Sequence, residues 1–132
     1  MREVLPGDLA QALQSLGLRS GGAWLVHSAI QYLGIPAGGS GMYFQALDQA
    51  LGLSAGQEGT LAVPTFNFAF ARGADYDPAS TPSEKMGTFS EYVRQLPQAQ
   101  RTPHPLQSLA VVGHWAGDLA GRDTPGAFDP GS

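Results

Sequence analysis

Thr60-Leu61-Ala62-Val63-Pro64-Thr65-Phe66 is the stretch on which the fold turns. Its apolar residues run on without alternating with polar ones, so both faces of the extended chain must be covered. Pro64 stands near the C-terminal end, where a lost ladder donor matters least. Two further runs read the same way: Ala23-Trp24-Leu25-Val26, stopping at His27-Ser28, and Ser108-Leu109-Ala110-Val111-Val112-Gly113. Helical patterns lie between them. Leu9, Leu13, Leu16 and Leu18 recur at near-helical spacing from Asp8 to Leu18, with Asp8 as the expected N-cap. Tyr43, Phe44, Leu47, Ala50 and Leu51 follow a 3.6-residue period behind Gly38-Gly39-Ser40-Gly41. Phe89, Tyr92, Val93 and Leu96 mark a third helix within Met86–Leu96, and Trp115, Leu119 and Ala120 a fourth. This alternation predicts an α/β domain with a mainly parallel sheet covered on both faces.

Open α/β sheets hold ligands beyond the carboxyl ends of their strands. The polar residues expected there are His27 and Ser28 after the first strand, Thr65 and Asn67 after the second, and His114 after the third.

At 132 residues the chain is about one domain. It is 42% hydrophobic and only 14% charged, where an ordinary globular domain has about 25% charged residues, so a disordered tail is not expected. A net charge of −4 is the wrong sign for neutralising phosphates, and nucleic acid is not an expected partner. With no cysteine, disulfides, thiolate zinc sites and a Cys nucleophile are excluded. No apolar run approaches the roughly 18 residues of a membrane helix, and Met1–Pro6 lacks a signal-peptide core. A cytoplasmic protein without a membrane partner is the expectation.

Gly39-Ser40-Gly41 is followed by Phe44 where a dinucleotide fingerprint needs its third glycine, and no phosphate-binding G-x-x-x-x-G-K-[ST] is present. Ser28, Ser83 and Ser108 could pair with His27, His104 or His114 as a serine esterase, but no serine lies in G-x-S-x-G. The three histidines form no i, i+4 pair, so no metal is expected. Asp75-Tyr76-Asp77-Pro78 places two carboxylates in a loop, where turn formers capping local amides are the favoured reading. In Arg101-Thr102-Pro103-His104-Pro105, two prolines stiffen the chain, so that Arg101 would suit a phosphate and His104 a proton transfer. A rigid crossover loop fits the same residues. Only His104 and Asp77 stand as catalytic candidates.

In order and spacing these pieces resemble the aminoglycoside 3-N-acetyltransferase family. The resemblance is carried by Val26-His27-Ser28-Ala29, Leu33-Gly34, Gly59–Phe66, Tyr76-Asp77-Pro78, Thr81-Pro82-Ser83 and Met86-Gly87, then by Glu91–Arg94, Arg101–Pro105, Ser108 and Phe128–Ser132. The Thr-Pro-Ser, Met-Gly and Arg-Thr-Pro wording is closer to members that acetylate amino sugars of bacterial surface polysaccharides than to those of antibiotic resistance. The resemblance implies a three-layer α/β/α sandwich and acetyl transfer from acetyl-CoA to an amine of an aminoglycoside or related amino sugar. It implies that His27, Ser28, Leu33, Gly34, Arg101, Thr102 and Ser108 line the cofactor channel. Thr65, Asn67, Asp77 and Met86 would face the acetyl group or the acceptor amine.

The chain departs from this family in length, since members run to roughly twice its size and carry a catalytic His followed by a Glu in their second half. One partial domain over residues 1–132 is therefore expected. The alternative is a non-catalytic remnant that binds CoA or a partner without turnover. An unfinished sheet would expose an apolar edge, which favours homo-oligomers.

Overall fold

A computed structural model of the protein describes residues 2–54, 56–123 and 126. The strands are β1 (Glu3–Val4), β2 (Ala23–Leu25), β3 (Ile35–Pro36), β4 (Thr60–Pro64), β5 (Gln100–Arg101) and β6 (Leu109–Gly113). The helices are α1 (Pro6–Ser15), α2 (Ser40–Leu51), α3 (Thr88–Arg94) and α4 (Ala116–Ala120), with 3-10 turns at Ile30–Tyr32 and Ala69–Arg72. The three strands and four helices read from hydrophobic pattern are all present. Helix α1 begins earlier than expected, at Pro6. Asp8 sits in its first turn and accepts the Leu5 amide at 3.2 Å instead of preceding the helix. The terminal Phe128–Ser132 motif lies outside the described residues.

The main sheet has the order β2-β4-β6-β5, and β1 pairs separately with β3. β2 runs parallel to β4, with Trp24 opposite Leu61. β6, however, runs antiparallel to β4, with Leu61 opposite Val112 and Val63 opposite Ala110. β5 is antiparallel to β6 in turn. The sheet is thus mixed, which corrects the expectation of a mainly parallel one. An unbroken apolar run reports that both faces are covered, and carries no information on direction. The direction is set by the Thr102–Gln107 loop, which folds β5 and β6 into a hairpin and slides β6 between β5 and β4.

Side-chain alternation divides the core in two. On one face Leu61, Val63, Ala110 and Val112 meet Leu13, Tyr43, Phe44, Leu47, Leu51, Phe89 and Val93 of α1, α2 and α3. Each Leu, Val or Phe side chain so buried contributes about 1.5–3 kcal/mol. On the other face Ala62 and Val111 meet Ala116 and the partly buried Leu119 of α4. β2 differs from the buried strand that its sequence predicts. It lies at the sheet edge, with Trp24 37% and Leu25 62% exposed. At the far end of β6, Gly113 has φ +110°, and a Cβ there would run into the Gly59 carbonyl. Among the described residues no helix is long and apolar enough to cross a membrane.

Candidate functional site

The reversal of β6 decides which polar residues meet. The carboxyl ends of β2, β4 and β5 share one end of the sheet with the beginning of β6. His114, which follows β6, lies at the opposite end, where its amide donates to the Gly59 carbonyl at 2.9 Å. Its ring stands edge-on to Trp115 with centroids 4.9 Å apart. His114 is therefore removed from the group of strand-tip residues predicted to surround a ligand.

Thr65, Ser108 and Arg101 form a closed clasp at the shared end. The Thr65 amide and hydroxyl both donate to the Ser108 carbonyl, at 2.9 and 3.0 Å. The Ser108 hydroxyl donates to the Thr65 carbonyl at 3.1 Å and accepts from Arg101 Nε at 3.0 Å. Arg101 Nη2 reaches the Thr65 carbonyl at 2.9 Å, while Nη1 donates to the carbonyls of Thr81 and Pro78. The Tyr76 ring lies under the guanidinium at 5.2 Å, and the Tyr76 hydroxyl donates to the Thr102 carbonyl at 3.0 Å. Burial pulls Arg101 below the ordinary guanidinium value, opposed chiefly by Tyr76. Four of its five N–H groups serve the protein, leaving one on Nη2 for a ligand. Thr102 extends the hairpin, its amide donating to the Leu109 carbonyl and its hydroxyl accepting the Leu109 amide.

The loops around the clasp hold the acceptor-side residues of the prediction. Asn67 donates from Nδ2 to the Pro82 carbonyl at 2.8 Å, and its Oδ1 accepts the Ala69 amide at 2.8 Å. Asp77 accepts the Ala79 amide at 2.9 Å and the Ser80 hydroxyl at 2.8 Å, which together hold its carboxyl below the ordinary carboxylate value. It is exposed and shapes a turn. His104 accepts the amides of Leu106 (3.2 Å) and Gln107 (3.0 Å) on Nδ1. A neutral ring so held carries its proton on Nε2 and has no lone pair left for a substrate. His104 so held offers a proton rather than a base's lone pair, whereas each Asp77 oxygen accepts a single bond and keeps a lone pair open.

His27 and Ser28 follow β2, His27 exposed and the Ser28 hydroxyl buried without a partner. Met86, half-buried, precedes Gly87, whose backbone packs beside the Ser28 carbonyl. Ser28, Leu33, Trp24, Leu16 and Tyr43 help wall an open apolar cavity of ≈ 190 Å³. Gly34 stands apart. Its φ is +126°, and a Cβ would stand 2.5 Å from the Arg2 carbonyl, so it lets β3 pack on β1. Two contributors were quoted in the family resemblance but given no role there: Tyr76, and Glu91, which accepts the Ser83 amide at 2.6 Å and chelates Arg94 at 2.8 Å. The i, i+3 spacing of Glu91 and Arg94 was the available signal. Among the described residues no cluster of three or more His, Cys, Asp or Glu could hold a metal ion.

A mixed α/β sheet with a polar clasp at its strand tips and an apolar cavity beside its edge strand β2 defines the class. Within it, the family model described as Aminoglycoside 3-N-acetyltransferase matches residues 25–131, and the chain belongs to that family. Aminoglycoside N(3)-acetyltransferase III of Pseudomonas aeruginosa is 30% identical over 121 residues, covering 82% of this chain and 45% of that protein. A solved variant of aminoglycoside acetyltransferase AAC(3)-IVa, in complex with apramycin, superposes with a TM-score of 0.78 at 29% identity. That superposition covers 95% of this chain and 49% of the other. The structure described as AAC-IIIb binary with CoASH has a TM-score of 0.73 at 23% identity, covering 87% of this chain and 48% of that one, a likeness of fold alone. The chain spans about half the length of the proteins it matches, in their N-terminal portion.

Proposed function

We propose that this chain, as one partial domain over residues 1–132, forms the N-terminal half of a cytoplasmic enzyme. The complete fold is a three-layer sandwich, and its reaction moves acetyl from acetyl-CoA to an amine of an aminoglycoside or related amino sugar. The clasp of Thr65, Ser108 and Arg101 carries this reading, because it fixes the tips of β4, β5 and β6 around backbone groups at one sheet end. Kinship with a protein whose structure holds apramycin supports the acceptor class, and the acetyl-CoA donor is part of the proposal, in keeping with a neighbour of the same fold described with CoASH. In the reaction the amine nitrogen forms a bond to the thioester carbonyl, the C–S bond breaks, and the amine's proton ends on the departing thiolate. Amides at the strand tips suit the transient oxyanion. Arg101 acts as a positioning residue, with its one free N–H toward the donor. Ser28 and Leu33 line the apolar passage for the donor arm, while His27, Thr102, Asn67, Asp77 and Met86 are assigned to the loops of the site outside that lining. Gly34 shapes the passage from behind through β3.

The bonding of His104, whose Nδ1 lone pair is taken by two backbone amides, favours a second, coupled reading: this half binds the donor but lacks the histidine base that would take the ammonium proton. The test is calorimetric titration of CoA into the chain together with thiol release from acetyl-CoA in the presence of apramycin. CoA binding without thiol release is the expected result. Thiol release by the chain alone, abolished in His104→Ala, would restore His104 as the base, and absence of CoA binding by the folded chain would remove the donor site.

A further inference from the structure

Three residues assigned to the site take their bearings from one tripeptide, Thr81-Pro82-Ser83. The Thr81 carbonyl accepts Arg101 Nη1, and the Pro82 carbonyl accepts Asn67 Nδ2 at 2.8 Å. Thr81 also closes the Asp77 turn, its hydroxyl accepting the Asp77 amide and its amide donating to the Asp77 carbonyl, both at 2.9 Å. Just beyond, the Glu84 amide donates to the Phe66 carbonyl at 2.7 Å and ties the segment to the exit of β4. Among the described residues, one helical side chain bonds this tripeptide. Glu91 of α3 accepts the Ser83 amide on Oε1 at 2.6 Å. Its carboxylate is itself aimed: Arg94 Nε donates to Oε1 and Nη2 to Oε2, both at 2.8 Å, and Gln95 Nε2 donates to Oε2 at 3.3 Å. The Arg94 side chain is only 11% exposed, so water screens this bidentate pair little, and two parallel bonds fix its orientation.

We infer that Glu91 is a positioning residue of the site: through the Ser83 amide it fixes the Thr81 and Pro82 carbonyls, and with them the Asn67 carboxamide and one corner of the Arg101 fork. Asn67 depends on it most. Its Oδ1 is spent locally on the Ala69 amide, and the Pro82 carbonyl is the partner that directs Nδ2. Arg101 keeps its bonds to Ser108 and Thr65 if Thr81 withdraws, but its guanidinium is rigid and planar, so losing one corner tilts the whole group. Glu91 hydrogen-bonds neither residue directly and acts on them from the helical layer through a strip of backbone. Small misplacements of such groups weaken a site out of proportion to their size. The role of Asn67 and Arg101 toward a ligand rests on the acetyl-transfer reading, whereas the mechanical coupling of Glu91 to them does not.

The nitrogen-labelled chain is followed by NMR at the Asn67 carboxamide and the Arg101 Nε–H, and apramycin is titrated calorimetrically into each variant shown to be folded by circular dichroism. Glu91→Leu leaves the Ser83 amide without its acceptor. Both signals should shift, their exchange with water should quicken by at least about tenfold, and apramycin should bind about fivefold more weakly. Glu91→Gln loses the charge and some stability but keeps an oxygen for the Ser83 amide, so it should return both signals and the affinity towards the parent values. A role in stability alone would not give that rescue. Glu91→Ala, which leaves room for water beside Arg94, carries the same test if Glu91→Leu does not fold. Signals that stay in place once the carboxylate is gone, or a Glu91→Gln chain that behaves like Glu91→Leu, overturn the inference. The two signals are read without ligand, so a parent chain that binds no apramycin overturns the acceptor reading alone.

Discussion

Ser108 bonds through its hydroxyl and its carbonyl at once. The hydroxyl takes the Arg101 Nε proton and gives its own to Thr65, while the carbonyl accepts both Thr65 donors. Ser108→Ala strips a half-buried guanidinium of an acceptor and should cost about 1–3 kcal/mol, read from urea unfolding. Thr65→Val should cost a similar amount. The double variant should lose less than the sum, since the two side chains share their bonds. Arg101 was singled out by the prolines that stiffen its loop, and Ser108 by the family resemblance. Their mutual bonding was not legible, because Thr65 lies 36 residues from Arg101 and only the reversed strand brings them together. The same applies to His104. Two prolines foretold a fixed ring, but nothing local said that Leu106 and Gln107 would turn their amides onto its Nδ1.

Among the elements, α3 shows how a short helix holds a loop. Burial resists ionisation of Glu91, but the Arg94 guanidinium and the Ser83 amide outweigh it and hold the carboxyl down to about 2, against an ordinary value of 4.5. The folded value is the lower one, so the contribution is full above the unfolded value and drains away as pH falls from 4.5 towards 2. Glu91→Gln should cost about 1–2 kcal/mol at neutral pH and should flatten this acid limb, as urea melts across the same window would record. The strands with continuous apolar runs, β4 and β6, were readable at once. β1, β3 and β5 were not, for two residues are too short to express a period. β2 was readable as a strand but not as an edge, since its apolar content anticipated a covering partner.

For the molecule as a whole, the charge of −4 bears on the proposed acceptor. A polycationic aminoglycoside is drawn to such a surface, and salt screens the attraction over a Debye length of about 10 Å at 0.1 M. Apramycin binding measured calorimetrically should therefore weaken as ionic strength rises, and insensitivity to salt would discount the surface field. The α/β class and the order of the main elements were visible in the sequence, while the sheet's mixed direction was not. That difference relocated His114 and so redrew the site. The contact between Gly113 and Gly59 acquires a further meaning from this arrangement. A slip of β6 by a single residue would turn Val111 and Val112 inside out and drag Ser108 off Thr65. The side-chain-free joint at one extremity thus keeps the alignment of the bonding at the other, about 16 Å away along a five-residue strand.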